Sequence, residues 1–141
     1  MAKRSRRTAR RPSPAAPAAC PCGRPAAYAD CCGRLHAGGA AATAEDLMRS
    51  RYSAFAVGDE GYLLRTWHPA GRPPRALSPG TRWLGLDILA TEGGSAFHTT
   101  GTVTFAAAYE DGGGRGVLRE RSRFERVDGA WVYVDGDAPA S

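Results

Sequence analysis

Four cysteines, Cys20, Cys22, Cys31 and Cys32, lie within thirteen residues in the pattern Cys-Pro-Cys, eight residues, Cys-Cys. As thiolates they can surround one tetrahedral zinc ion at about 2.3 Å per bond. Gly23 and Pro25 supply the turn chemistry needed to reverse the chain between the two pairs. Disulfides are the other chemistry open to these residues. A bridge between adjacent Cys31 and Cys32, or across Cys20-Pro21-Cys22, is strained. Four protein ligands leave no open position, so the expected zinc is structural rather than catalytic. His36 is an alternative fourth ligand in place of Cys32. A segment this short has no core of its own, and metal binding would supply its folding free energy.

Fewer residues elsewhere could do chemistry. In the stretch 117–127, alternation places Arg119, Arg121, Arg123 and Glu125 on one side and Leu118, Glu120, Ser122 and Phe124 on the other. Glu120 and Ser122 thus interrupt an otherwise apolar face. A carboxylate there needs a partner or has a raised pKa. Arg49 or Arg51 is the expected partner, and the sharper reading has Glu120 contacting a ligand. His68, between Trp67 and Pro69, is suited to proton transfer near neutral pH. Glu120 and His68 are therefore the candidate acid/base pair if the protein is a small enzyme of isomerase or hydratase type. Arg51, Tyr52, Trp67, Glu120 and Ser122 are the candidate ligand contacts, with Arg51 as an anchor for an anionic group. The sequence holds no Gly-rich phosphate loop and no second metal cluster.

The elements that must position these residues can be read from caps and periodicity. Thr43 with Asp46 three residues on is an N-terminal capping pattern, and Glu45 and Asp46 suit the positive end of a helix. Met48, Tyr52 and Phe55, widened by Leu47, form its apolar face, and Gly58 is its stop. A second short helix is expected over 60–66. Pro69, Pro73, Pro74 and Pro79 make a loop, after which strands are expected over 82–91, 97–109, 117–127 and 130–135. Asp128-Gly129 is a hairpin signal between the last two. Helices followed by antiparallel strands give an α+β class.

The net charge of +5 is unevenly spread: six of the 19 basic residues lie in 1–19, leaving 13 against 14 acidic ones. The remainder of the chain is not a basic nucleic-acid surface. Residues 1–19 read as a disordered basic tail, and weak RNA contact through it is the one nucleic-acid reading available. No run approaches the roughly 20 apolar residues of a membrane span, and the tail lacks an apolar signal region. A cytoplasmic, reducing setting is expected, which suits cysteines as metal ligands.

Two resemblances sharpen this. Cys20-Pro21-Cys22-Gly23, Tyr28 and Cys31-Cys32-Gly33 resemble the SEC-C zinc motif, with Arg24 and Pro25 where that motif usually has Ser-Gly and with alanines where lysines are frequent. The stretches Leu47-Met48-Arg49-Ser50-Arg51-Tyr52-Ser53-Ala54-Phe55, Glu120-Arg121-Ser122-Arg123-Phe124 and Trp131-Val132-Tyr133-Val134-Asp135-Gly136 are similar to the YchJ family. The resemblance implies a zinc knuckle over 20–38 and a nuclear-transport-factor-2-like domain over 40–137, a curved sheet wrapped around helices into a cone. That fold hosts both enzymes and binding domains, so it assigns no reaction. The expected function is a zinc-stabilised accessory or binding module for a protein or small-molecule partner, with a homodimer through the open sheet face as its expected assembly.

Overall fold

The computed structural model describes residues 19–77 and 79–139. The basic tail falls outside the described residues except for Ala19, which forms an antiparallel bridge with Ala27 and so belongs to the knuckle. Three helices, α1 (Cys32–His36), α2 (Ala44–Val57) and α3 (Glu60–Arg65), precede four strands, β1 (Arg82–Gly93), β2 (Thr100–Asp111), β3 (Gly114–Val127) and β4 (Ala130–Asp137). The strands form one antiparallel meander in the order β1-β2-β3-β4.

Helix α2 starts and stops for local reasons. The Thr43 hydroxyl accepts the backbone N–H of Asp46 at 3.0 Å, and Gly58 ends the helix in the left-handed region at φ 80°. The N–H of Ala44, otherwise without an intrahelical partner, donates to the carbonyl of Gly94 in the β1–β2 connection. Gly94 and Gly101 lie so close that a Cβ on Gly101 would meet Gly94 backbone atoms at 2.5 Å. Thr43→Ala is expected to cost about 1 kcal/mol in a urea unfolding curve, the usual loss for an N-cap.

The hairpins follow turn chemistry. Asp128 and Gly129 both take positive φ, 53° and 84°, as a two-residue hairpin turn requires. Pairing of β2 with β3 runs to Asp111↔Gly114, so Gly112-Gly113 is a two-residue turn and β3 begins earlier than the expected residue 117. β2 begins later than expected, at Thr100, because Ser95–His98 closes its own turn, with His98 N–H on the Ser95 carbonyl. β1 is an edge strand with register shifts at Trp83/Gly85 and Ile88/Ala90, irregularities that bend a sheet edge and discourage pairing with another chain.

The core lies between α2 and the inner sheet face, where Leu47, Met48 and Tyr52 meet Val103, Phe105 and Phe124. α2 is not one-sided, as the Met48/Tyr52/Phe55 face suggests. Ser50, Arg51 and Ser53 are also buried, because the sheet covers one side of the helix and the cysteine segment covers another.

Candidate functional site

The cysteine segment is a closed loop with a short helix. Cys20 N–H donates to the Ala26 carbonyl and Gly23 N–H to the Cys20 carbonyl, with Gly23 at φ 93°. A 3-10 turn over Tyr28–Asp30 then leads into α1, which the sequence does not announce. Gly33 packs against Tyr28, where a Cβ would approach the Tyr28 carbonyl to 2.6 Å. These reversals bring the four sulfurs within 4.8 Å of one another, and all four cysteines are free of disulfides.

The sulfurs fit a tetrahedral ion. With metal–sulfur bonds of about 2.3 Å, the sulfurs of a regular tetrahedron stand about 3.8 Å apart. Cys22 Sγ and Cys31 Sγ are 3.7 Å apart. Ser53 Oγ, fully buried on α2, lies 3.6 Å from Cys20 Sγ, placed to donate its proton to that sulfur as a thiolate. Without a metal the thiols share protons unequally. Cys22 is lowered to about 4, first by the thiol of Cys32 donating to it. Burial raises Cys31 to about 11, and Cys32 is raised because its proton is held by Cys22.

His36 stands apart from this sulfur cluster. Its Nε2 lies 2.8 Å from the Ser50 carbonyl, which can only accept, so Nε2 carries the proton. In the neutral ring Nδ1 then accepts from Tyr28 Oη at 2.6 Å. The ring also packs on Tyr62 at 4.5 Å between centroids. His36 therefore pins the knuckle to α2, with both nitrogens committed.

Polar contacts complete the docking. Arg49 Nη1 donates to the Cys22 carbonyl at 2.8 Å while its Nε holds Glu45. Arg24 pairs with Asp46 at 2.8 Å, and Arg65 donates to the carbonyls of Leu35 and His36. The expected pairing of Arg49 with Glu120 is thus corrected: Arg49 faces the knuckle, on the other side of α2 from the sheet.

On the sheet side of α2 a cavity of about 210 Å³ is lined by Met48, Arg51, Phe55, Trp67, Phe105, Leu118, Glu120, Ser122 and Tyr133. Arg51 is 3 % exposed. Its Nη1 donates to the Leu63 carbonyl at 2.8 Å and to Thr66 Oγ1 at 2.7 Å, and its guanidinium lies 5.1 Å from the Trp67 ring centroid and 4.7 Å from that of Tyr133. Burial pulls its pKa down to about 10, so it stays charged at neutral pH. Glu120 Oε2 accepts from Ser122 Oγ at 2.6 Å and Tyr133 Oη at 3.0 Å. Burial, then the Glu120 charge, raises the Tyr133 phenol and keeps it a donor. Glu120 is therefore held by two hydroxyls rather than by an ion pair with Arg51. A Cβ on Gly136 would run into the Glu120 carboxylate, so a side chain there would push the carboxylate out of this position.

Arg51, Trp67, Glu120 and Ser122 share this cavity, whereas Tyr52 packs into the core against Trp83. His68 does not line it. His68 Nε2 pairs with Glu125 Oε1 at 2.8 Å and its Nδ1 accepts the Ala70 N–H. Glu120 and His68 are thus engaged with different partners on different faces of β3. Tyr133, which the sequence did not single out as a site residue, holds the catalytic candidate Glu120. Tyr133 lies one strand over, opposite Phe124, a register that the sequence alone does not give.

The comparisons agree with this architecture. The family described as "YchJ, middle NTF2-like domain" matches residues 43–136. A UPF0225 protein of Streptomyces coelicolor is 68 % identical over 84 % of this chain and 94 % of its own length, and one of Ralstonia nicotianae is 50 % identical over 89 % and 95 %. Among solved structures, a SEC-C motif containing protein from Rhodopseudomonas palustris superposes with a TM-score of 0.74 at 33 % identity, covering 86 % of this chain and 98 % of that one. A SEC-C motif containing protein from Psychrobacter arcticus gives 0.68 at 28 % identity, covering 86 % and 83 %. The chain belongs to the UPF0225 family and carries the YchJ middle NTF2-like domain behind an N-terminal cysteine cluster.

Proposed function

We propose that this protein is a zinc-stabilised binding module, in which Cys20, Cys22, Cys31 and Cys32 hold one structural zinc ion and the cone domain binds a small ligand without transforming it. The observation that carries the reading is the double role of α2. One side supplies Ser53 to the Cys20 sulfur and Arg49 to the Cys22 carbonyl, and the other presents Arg51 to the cavity. A metal that orders the knuckle thereby fixes the helix that carries the cavity's cation. Zinc is the ion chosen by four thiolates in a tetrahedral, closed set, and free thiols suit a reducing, cytoplasmic setting.

Binding is favoured over catalysis because His68, the histidine candidate for proton transfer, is tied to Glu125 and not to Glu120. RNA contact by the sheet is disfavoured because Arg121 and Arg123 on its outer face are answered by Asp135 and Asp137. No helix among the described residues is long and apolar enough to cross a membrane.

Zinc titration of metal-free protein, followed by calorimetry at several pH values, tests the reading. One ion per chain is expected. In the metal-free cluster the Cys22 thiol is lowered by the proton that Cys32 shares with it, and Cys31 and Cys32 are raised, so the cluster holds protons that four thiolate ligands cannot keep. Uptake must then release protons, and the apparent affinity rises with pH. Two ions per chain, or an affinity independent of pH, would contradict a four-thiolate centre.

A further inference from the structure

The cavity beside α2 presents two opposite charges that the protein leaves incompletely answered. A guanidinium has five N–H donors, and a group this deeply buried normally has them satisfied. Arg51 places its Nη1 donors on Leu63 and Thr66, while among the described residues its Nε and Nη2 meet no acceptor. Glu120 has the complementary gap: Oε2 takes both hydroxyls, and Oε1 accepts from no described group. No Arg51–Glu120 ion pair closes the site, and Tyr133 stands between them, its hydroxyl on Glu120 and its ring face under Arg51.

This arrangement selects a ligand by charge. A simple anion that satisfies Arg51 would be repelled by Glu120, and a simple cation on Glu120 would be repelled by Arg51. A molecule with one charge of each sign answers both groups and adds no net charge to a partly dry site. The cavity's 210 Å³ is the volume of about seven waters at liquid density. Phe55 and Leu118 also border a second space of about 250 Å³ lined by Leu77, Trp83 and Tyr109, so apolar surface lies on both sides of these two residues.

We propose that the cavity binds a small zwitterion of the amino-acid type, its carboxylate on Arg51, its ammonium on Glu120 and its apolar side chain between Phe55 and Leu118. The proposal rests on the reading of the domain as a small-molecule binding module and names the class of molecule. The free carboxylate forks onto Nε and Nη2, and the ammonium donates to Oε1.

The test is calorimetry on full-length, zinc-loaded protein with L-phenylalanine and L-leucine, and with phenylalaninamide and N-acetylphenylalanine, each of which lacks one of the two charges. Binding of the free amino acids is expected, with about tenfold or greater loss for both capped compounds. Glu120→Gln should weaken L-phenylalanine by about tenfold or more while changing N-acetylphenylalanine far less. Leu118→Trp, on the half-exposed rim, should block both without touching either charge; it decides the matter if Glu120→Gln does not fold. Zinc-loaded, normally melting protein that binds neither amino acid at millimolar concentration, or binds the capped compounds equally well, would overturn this proposal and leave the module reading standing. Protein that holds no zinc would instead count against the module reading.

Discussion

Replacing Cys32 by serine is expected to remove the metal and loosen the knuckle in one step. Cys32 is buried, its sulfur sits in the four-sulfur cluster, and it opens α1. A serine hydroxyl is a poor zinc ligand at neutral pH, and structural zinc contributes on the order of 10 kcal/mol to small domains that fold around it. The consequence reaches beyond the knuckle. Leu35 of α1 packs in the main core, and Ser50 and Ser53 of α2 are buried partly because the knuckle covers them. Their exposure, together with loss of the Arg49 and His36 contacts, should cost at least about 3 kcal/mol in denaturant unfolding. A chelator should reproduce the effect in the wild-type protein and leave the variant unchanged. Equal stability and equal zinc content in variant and wild type would refute the coupling.

Arg51→Met should be the most damaging single change on the sheet side of α2. Methionine matches the length of the side chain but removes both hydrogen bonds that tie α2 to the end of α3, at Leu63 and Thr66. It also strips the cation from between the rings of Trp67 and Tyr133 and leaves Glu120 without its nearest opposite charge in the cavity. Breaking one side of a buried charge arrangement costs about 3 kcal/mol or more, because the remaining charge stays desolvated. Glu120→Gln added to Arg51→Met should therefore return about 1 kcal/mol, a coupling readable in a double-mutant cycle of urea midpoints. Strict additivity would mean that Glu120 does not sense Arg51.

These effects depend on features of unequal visibility in the sequence. The four-cysteine spacing needed no tertiary information, because the turns at Gly23 and Pro25 are local. The same holds for the Thr43 cap, the Gly58 stop and the Asp128-Gly129 hairpin, each made by residues close in the chain. Alternation in β3 placed Glu120 and Ser122 on the inner face and the arginines outside, as their exposures show. Partners across the fold were less legible. Arg49 and Arg51 are two residues apart on one helix, so periodicity separates them by more than half a turn without saying which side faces which layer. The knuckle claims Arg49 and the sheet claims Arg51. The sequence paired His68 with Glu120 as a candidate acid and base. The His68 backbone N–H instead joins the Tyr133 carbonyl, and its side chain finds Glu125, a placement set by the bridge of Trp67 to Tyr133 of β4. Ser53 carried no signal at all, since a serine inside a helix shows its purpose only when a sulfur arrives beside it.

The coordination of the metal can be measured by X-ray absorption at the zinc edge of protein purified without chelator. A single shell of four sulfurs at about 2.3 Å, supplied by Cys20, Cys22, Cys31 and Cys32, is expected. A shell containing a nitrogen or oxygen ligand, or protein that carries no zinc, would contradict a four-thiolate zinc centre.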